Sequence, residues 1–470
     1  MKTLEEIFES GRQPSQIIDD LKVTVIKDVP SWTELLKDYD PKQHFVNNDQ
    51  SRERKVMEDG TIEHPAKIIL PLEKLLTKRI NDYTFAIPVK RVYSGVDDNE
   101  IRQNIVNAIE AIYKHARIDT ANMKRGLNYY ASCQFFTYWY AVKKDKPHNL
   151  YGFETNWKVY CKTFSPMDGV KLYPLFDEYD DLIAMSYQFK KRVADNDVIF
   201  FECFTADRHY SWKQVEGAAD WEVVTDGDEI VIGKIPGVYQ FRHRPVWDEL
   251  QAVRNDLECT ISDNSDTISY NHAPIIKVAG AIEGNPKKNS NKRVIHVSNG
   301  GDVSYVSWNQ ATEATKSHVD SLLRFYFMLS QMPDVSFENM IRLGSIGYDA
   351  RKTLFTDAFL RIGEESGAWI ETFERELNVV KAILVALKPD FASEIDNIDV
   401  EHVITPFIQD DIDSNINRWM KACGGKAIIS QEEAIENAGL STDTNKTIEK
   451  LQEESLKEQE AKMASMFSAE

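Results

Sequence analysis

An acidic cluster, Asp177-Glu178-Tyr179-Asp180-Asp181, is the first group in the chain whose residue types could do chemistry. Paired carboxylates bind hard divalent cations such as Mg²⁺, so Asp177, Glu178 and Asp181 could support a metal-dependent nuclease. The same residues also suit a solvated turn between two strands. We expect the turn, and a magnesium-dependent cleavage assay would test the nuclease.

Other catalytic patterns are missing from the sequence. The segment Cys423-Gly424-Gly425-Lys426-Ala427 lacks the upstream glycine and the Ser or Thr that a phosphate-binding loop needs. The 10 histidines never fall at the spacing that places two imidazoles on one helical face, and there is no GxSxG nucleophile elbow. The five cysteines form no CxxC pair and are expected to be reduced. The sequence predicts a protein that is not an enzyme and needs no metal or cofactor.

An aromatic run extends from Tyr129 to Tyr140. Such a run could stack on nucleic-acid bases, but it lacks the interleaved Arg and Lys that single-strand binders use. We therefore expect these rings to pack in the hydrophobic core.

Length and charge limit the class of protein. With 470 residues, of which 42% are hydrophobic, the chain can bury a large core in roughly two to four subdomains. A formal net charge of −19 argues against a static nucleic-acid clamp, because such proteins concentrate Lys and Arg to displace phosphate counterions. No apolar stretch approaches the roughly 18 residues of a membrane helix, and Met1–Glu6 is acidic where a signal peptide is basic. We expect synthesis in the cytoplasm and no membrane contact.

Hydrophobic periodicity predicts the elements that position these groups. The segment Pro30–Glu34 has the pattern of a capped helix start, and amphipathic helices are predicted at Lys67–Tyr83 and Glu100–His115. Between Trp157 and Phe241 the period changes toward two, and turn signals separate the runs. This part of the chain is predicted to form antiparallel strands.

A long helix with an acidic face is predicted at Val246–Tyr270, where apolar residues recur at spacings of three and four. Its other face carries Asp248, Glu249, Asp256, Glu258, Asp263 and Asp266. Short strands are predicted at Pro274–Gly280 and within Arg293–Val306, where Asn299-Gly300 is a hairpin signal. A small β-module therefore separates this helix from the next one.

Helices dominate the rest of the chain. A helix at Ala311–Gln331 ends before Pro333, because proline restricts the residue that precedes it. After a loop, an unusually long helix is predicted at Tyr348–Leu387, spanning roughly 60 Å. Ser430 begins a capping-box pattern, and Asn445–Ala464 is a charged helix with little apolar face.

Three stretches accompany the order helix, β-module, helix, loop and long helix. They are Arg244-Pro245-Val246-Trp247-Asp248-Glu249-Leu250 leading to Ile261-Ser262-Asp263-Asn264-Ser265-Asp266, then Ala273-Pro274-Ile275-Ile276-Lys277-Val278-Ala279-Gly280, then Met332-Pro333-Asp334-Val335-Ser336. With these stretches in this order, the chain from about Lys67 onward resembles the siphophage portal family. Many members follow the last stretch with Ser-Gly-x-Ala. This chain has Ser345-Ile346-Gly347-Tyr348-Asp349-Ala350 instead, which leaves the loop boundaries open.

The resemblance implies an α+β ring subunit with wing, stem helices, small β clip, tunnel loop and helical crown. The implied divisions are an N-terminal arm and wing (1–245), a stem helix (246–270), the clip (271–308), a second stem helix (309–333), the tunnel loop (334–347), a long wing helix with a returning strand (348–409) and the crown (410–470).

The implied function is a head–tail connector that forms the channel for double-stranded DNA packaging and ejection. The ring would be a homo-oligomer, in this family typically a dodecamer, that holds DNA only transiently and non-specifically. Other implied partners are the terminase large subunit, which supplies the energy, the major capsid and scaffolding proteins, and tail adaptor proteins. The protein would assemble in the host cytoplasm and reside at the portal vertex of the virion. A head-to-tail adaptor or minor capsid protein is the alternative, although such proteins are usually shorter.

Three sets of site residues follow from the resemblance. The tunnel loop would present Ser336, Asn339, Met340, Ile341 and Arg342 to DNA; the clip would dock partners through Lys287, Lys288, Lys292 and Arg293; and the stem would expose Asp256, Glu258, Asp263 and Asp266. In a ring, Arg342 would form a cationic girdle, or it would pair with Glu338 one turn earlier. The clip loop would dock a partner or remain solvated. The sequence does not decide between the two roles of Arg342 or between the two roles of the clip loop.

Overall fold

The computed structural model describes residues 3–22, 28–56, 62–96, 99–193, 196–218, 220–271, 275–279, 302–306, 312–334, 353, 355–407, 412–424, 426–439, 441 and 444–467. The chain divides into two compact units, Met1–Asp334 with Asp357–Phe407 and Val335–Thr356 with Ile408–Glu470. In the described part of the chain, no helix is both long and apolar enough to cross a bilayer.

Helices account for 51% of the structure and strands for 24%. The helices are α1 (Leu4–Ile7), α2 (Pro14–Lys22), α3 (Trp32–Tyr39), α4 (Phe45–Asn48), α5 (Leu72–Phe85), α6 (Glu100–Ala116), α7 (Ile118–Ser132), α8 (Gln251–Asn271), α9 (Thr312–Leu329), α10 (Thr356–Leu387), α11 (Ile412–Cys423), α12 (Gln431–Ala438) and α13 (Thr444–Phe467). All pairings between the described strands are antiparallel. A mixture of helices and antiparallel strands confirms the predicted α+β class.

The strands form several small antiparallel sheets. They are β1 (Lys55–Val56), β2 (Ile62–Glu63), β3 (Lys90–Ser94), β4 (Gln134–His148), β5 (Thr155–Phe164), β6 (Lys171–Phe176), β7 (Leu182–Val193), β8 (Asn196–Thr205), β9 (Arg208–Val215), β10 (Glu222–Glu229), β11 (Gly237–Phe241), β12 (Ile275–Ala279), β13 (Asp302–Val306) and β14 (Asp399–Val403). The larger sheets have the orders β10-β9-β8-β7-β6 and β11-β4-β5, and the pairs are β1-β2, β3-β14 and β12-β13.

The aromatic run crosses the junction between α7 and β4. Cys133 lies between the two elements with a left-handed φ of 60° and ends the helix. Tyr129 and Phe135 are buried in one core, and Trp139 is buried in another. The prediction of core packing is confirmed, although the strands begin before Trp157, where the sequence predicted them to begin.

The acidic cluster forms the turn between β6 and β7. Asp177 accepts backbone N–H groups from Tyr179 at 2.9 Å and Asp181 at 2.8 Å through one carboxylate oxygen. The predicted turn is confirmed, because the Asp177 carboxylate caps its own loop. Within the described ranges, no group of three or more His, Cys, Asp or Glu residues could hold a metal ion.

Several helix boundaries differ from the predictions for local reasons. α5 begins at Leu72 rather than Lys67, because Pro71 is its N-cap and disfavours helix in the residue before it. α8 begins at Gln251 rather than Val246, because Glu249 has a left-handed φ of 69°. The start predicted for α10, Tyr348, lies outside the described residues.

The long helix α10 contributes to two hydrophobic cores. Trp369 and Phe373 belong to the same buried cluster as side chains of α5, α7, α8 and α9, whereas Val380 and Leu384 belong to a second cluster with side chains of α6 and β4. In the second unit, the Ser430 capping box is present at the start of α12, and α13 covers the predicted charged helix.

Candidate functional site

Between α8 and α9 in the sequence lie β12 and β13, whose antiparallel register pairs Ile275 with Val306 and Ala279 with Asp302. The two helices pack against each other and against α10 through buried apolar side chains, among them Leu257, Leu322 and Tyr326. This arrangement corresponds to the helix, β-module and helix order predicted from the sequence.

The acidic residues of α8 do not form one exposed face. Asp256 pairs with His318 of α9 at 3.3 Å, Asp263 and Asp266 pair with Arg52, and Glu258 is completely buried. The Glu258 carboxylate points inward because it is paired with a buried histidine. The prediction that Glu258 is a surface acid is therefore wrong.

An extended segment, Ala66–Leu70, lies along α8 and is called the strap below. Its backbone donates three hydrogen bonds to helix side chains: Ala66 N to Asp266 Oδ1 (2.7 Å), Ile68 N to Ser262 Oγ (3.0 Å) and Leu70 N to Glu258 Oε1 (2.7 Å). Alternate residues of an extended chain are roughly 6.6 Å apart, and four residues of a helix rise roughly 6 Å. Because the two spacings are nearly equal, the N–H groups of alternate strap residues reach side chains on successive turns of α8.

A buried ion pair lies where the strap meets Glu258. His44 Nδ1 is 2.7 Å from Glu258 Oε1, and His44 Nε2 is 2.8 Å from the carbonyl oxygen of Asp38. The carbonyl can only accept, so Nε2 carries a proton. Glu258 Oε1 also accepts from Leu70 N–H. His44 Nδ1 and the Glu258 carboxyl group therefore satisfy each other inside the protein.

Three more titratable residues, Asp38, Glu73 and Arg254, join His44 and Glu258 in what we call the buried ion cluster. Arg254 is 1% exposed, and its guanidinium lies 2.9 Å from Asp38 Oδ1 and 3.4 Å from Glu73 Oε1. Burial raises the pKa of Glu73 to about 7, although the nearby Arg254 opposes the shift. The cluster joins α3, the following loop, α5 and α8.

The raised pKa of Glu73 gives a testable pH dependence. Folded Glu73 holds a proton that the unfolded chain releases, so its contribution to stability is fully present below pH 4.5 and is lost as the pH rises through about 7. Glu73→Gln cannot lose this proton. Between pH 5 and 8, the difference in unfolding free energy should move in favour of the variant by about 2 to 3 kcal/mol. Urea titrations of both proteins at several pH values measure it, with the exposed Glu371→Gln as control; a difference independent of pH would contradict the shift.

The other predicted site residues cannot be placed in the same way. The tunnel-loop residues Ser336, Asn339, Met340, Ile341 and Arg342 and the clip residues Lys287, Lys288, Lys292 and Arg293 lie outside the described residues. Sequence analysis did not identify the buried ion cluster. One signal was available: Arg254, Glu258 and Ser262 repeat at a spacing of four beside the apolar stripe of α8.

The arrangement positions helices and shows no reactive constellation among the described residues. Comparison with known proteins finds no match among curated proteins. One solved structure, the neck of an empty GTA particle computed with C6 symmetry, superposes on 88% of this chain and 94% of that chain at 10% identity; its TM-score of 0.41 is too low to argue from. The family model described as phage portal protein, SPP1 Gp6-like, matches residues 25–461. Because this match spans most of the sequence, the chain belongs to the SPP1 Gp6-like family of phage portal proteins.

Proposed function

We propose that this portal protein assembles into a ring whose axial channel passes double-stranded DNA during packaging and ejection. The observation that carries the proposal is an apolar face on α9, where Phe325, Met328 and Leu329 are 48%, 60% and 55% exposed. Their spacing puts them on one side of the helix. Grouped apolar side chains of this size mark interaction surfaces, and we assign this one to the neighbouring subunit.

In the proposed ring, α8 and α9 are the stem, β12 and β13 belong to the clip, residues 334–347 form the tunnel loop and residues 410–470 form the crown. The strap supports the stem assignment, because it fixes one side of α8 to its own subunit and leaves another side for neighbours. A ring of 12 subunits remains the expectation from the family resemblance.

The channel wall is proposed to repel DNA rather than grip it. A chain with a net charge of −19 surrounds DNA with like charge, whereas a wall rich in Lys and Arg would bind phosphates and slow movement. Of the stem acids, Asp256 and Asp263 keep side chains that are 55% and 70% exposed, so they are our candidates for the wall. The narrowest point is assigned to the tunnel loop, with Arg342 as its basic group.

The clip is the proposed docking site for the terminase large subunit and later for tail adaptor proteins, through Lys287, Lys288, Lys292 and Arg293. The sequence contains no phosphate-binding loop, so we assign the energy source to the terminase. Major capsid and scaffolding proteins are the other proposed partners at the portal vertex of the virion. No described feature favours the adaptor alternative or the nuclease alternative.

Met328→Glu tests the ring. A carboxylate on the apolar face would lose its hydration in a subunit interface, so we expect the variant to remain monomeric where the parent forms rings. Mass photometry and negative-stain electron microscopy of the purified full-length proteins measure the outcome.

Lys316→Glu is the matched control, since Lys316 is an exposed residue elsewhere on α9. We expect this variant to form rings like the parent. Normal rings from Met328→Glu would exclude this face from the interface, and a parent that never forms rings would overturn the proposed function.

A further inference from the structure

A positively charged region of the first unit lies outside the helix pair. Residues 111–164 contain nine Lys or Arg and three Asp or Glu, in a chain whose net charge is −19. Two of the nine are neutralised by carboxylates, Arg125 by Glu376 and Lys124 by Asp168. The remaining basic residues lie at the end of α6, at the start of α7 and on β4 and β5.

The register of β4 and β5 brings three lysines to one face of this strand pair, because side chains alternate between the faces. The Nζ atoms of Lys144 and Lys158 lie 5.3 and 5.5 Å from the centroid of the Tyr160 ring. Lys162 Nζ lies 4.8 Å from the Phe164 ring centroid. Among the described residues, none of these lysines has a carboxylate within ion-pair distance.

Lys144 and Lys158 both place their ammonium groups against the Tyr160 ring. Two like charges against one tyrosine repel, and an anion placed between them would relieve that repulsion. Ordering by a cation–π contact also lowers the entropy that each lysine loses on binding. The field is positive farther along the surface: after burial, Lys158 and Lys114 are the leading causes that lower the pKa of His115.

We propose that this face of β4 and β5 binds the phosphate backbone of duplex DNA, as a contact additional to the channel. The inference rests on the proposed function, since that function brings duplex DNA to the protein. Lys158 and Lys162 are separated by four residues, or roughly 13 Å along an extended strand. A row of cations at fixed spacing suits a linear, regularly charged polyanion, and sequence would not matter to it.

Two acidic residues lie beside the lysine face of β4 and β5. Asp228 and Glu229 line a cavity of about 470 Å³ together with Tyr138 and Tyr140, which share the lysine face of β4. If DNA passes over this face, these two carboxylates oppose its binding. Replacing them should therefore act in the opposite direction to replacing the lysines.

The test is binding of a fluorescent 30-base-pair duplex to the full-length protein across a salt series. The triple variant Lys144→Gln, Lys158→Gln, Lys162→Gln should bind at least about tenfold more weakly at low salt. Its log–log salt slope should be shallower by about 2.7, because each of the three phosphates that a lysine no longer neutralises removes roughly 0.9 from the slope. The variant Asp228→Asn, Glu229→Gln should bind DNA more tightly than the parent.

The matched control is Lys124→Gln, Lys190→Gln, Lys213→Gln, which removes the same charge from lysines that are paired with carboxylates. We expect its DNA affinity to change little. Three results would overturn the proposal: the control triple weakens DNA binding as much as the Lys144, Lys158, Lys162 triple does, the latter triple binds DNA like the parent, or poly-glutamate displaces DNA at equal charge concentration.

Electron microscopy of the Lys144, Lys158, Lys162 triple distinguishes this proposal from the proposed function. Rings that bind DNA weakly support both proposals. Rings that bind DNA like the parent reject the contact on β4 and β5 and leave the ring channel standing.

Discussion

Replacing Glu376 with alanine is expected to lower the free energy of unfolding by about 3 to 5 kcal/mol, the cost of removing one partner from a buried ion pair. Arg125 of α7 is wholly buried, and its terminal nitrogens lie 2.7 and 2.9 Å from the two carboxylate oxygens of Glu376 on α10. Trp139 of β4 donates its indole N–H to the same carboxylate at 3.0 Å. Alanine would leave a buried cation and a buried donor without their acceptor.

Glu371→Ala is the matched control on the same helix. Glu371 pairs with Arg375 at 2.6 Å, but both side chains are half exposed, so the expected loss is below about 1 kcal/mol. Urea and thermal denaturation of the two variants measure the difference. Equal losses would show that the Arg125–Glu376 pair contributes no more than a surface pair. The double variant Arg125→Met, Glu376→Leu should recover much of the loss, because no charge stays buried alone.

The elements that sequence predicted well are those with a strong local pattern. α3 and α12 were identified from capping boxes at Ser31 and Ser430, and both boxes are present in the structure. The acidic turn after β6 was identified from its turn-forming residues. The portal resemblance, which rested on the order of elements, is confirmed by the family match over residues 25–461. These features could be predicted because capping boxes and turn residues are short local patterns, and the order of elements follows directly from the order of such patterns along the chain.

The buried ion cluster could not be predicted in this way, because its partners are far apart in the sequence. His44 and Glu258 are separated by 214 positions, and Arg254 and Asp38 by 216. A glutamate on an amphipathic helix is usually on the solvated side, so the prediction for Glu258 followed the general preference of charged residues. Only the folded structure shows that His44 compensates its burial.

The basic surface was missed for a different reason. The net charge of −19 is a sum over the whole chain, and it conceals the excess of Lys and Arg between residues 111 and 164. The aromatic run from Tyr129 to Tyr140 itself contains no Lys or Arg. Lys158 and Lys162 come from the neighbouring strand, so strand pairing is needed to place them beside Tyr138 and Tyr140.

Replacing Glu258 with alanine is expected to detach the strap from α8 and to cost about 3 to 5 kcal/mol. The Glu258 carboxyl group is the partner of His44 Nδ1 and the acceptor of Leu70 N–H, and alanine leaves both groups without their partner in the interior. The first effect should be local, since the strap has only two further described backbone hydrogen bonds to α8, at Ser262 and Asp266. Hydrogen exchange at the Leu70 and Ile68 amides should therefore accelerate by a larger factor than at the interior of α8.

Asp256→Ala provides the control for this experiment, because Asp256 lies two residues away on the same helix and its described ion pair, with His318, is exposed. We expect a loss below about 1 kcal/mol and unchanged exchange at Leu70. If the Leu70 amide of Glu258→Ala stays protected from hydrogen exchange, its N–H has another acceptor. The hydrogen bonds between the strap and α8 would then not be what fixes the strap. If Asp256→Ala costs as much as Glu258→Ala, α8 is sensitive to the removal of any carboxylate, and the burial of Glu258 does not explain the effect.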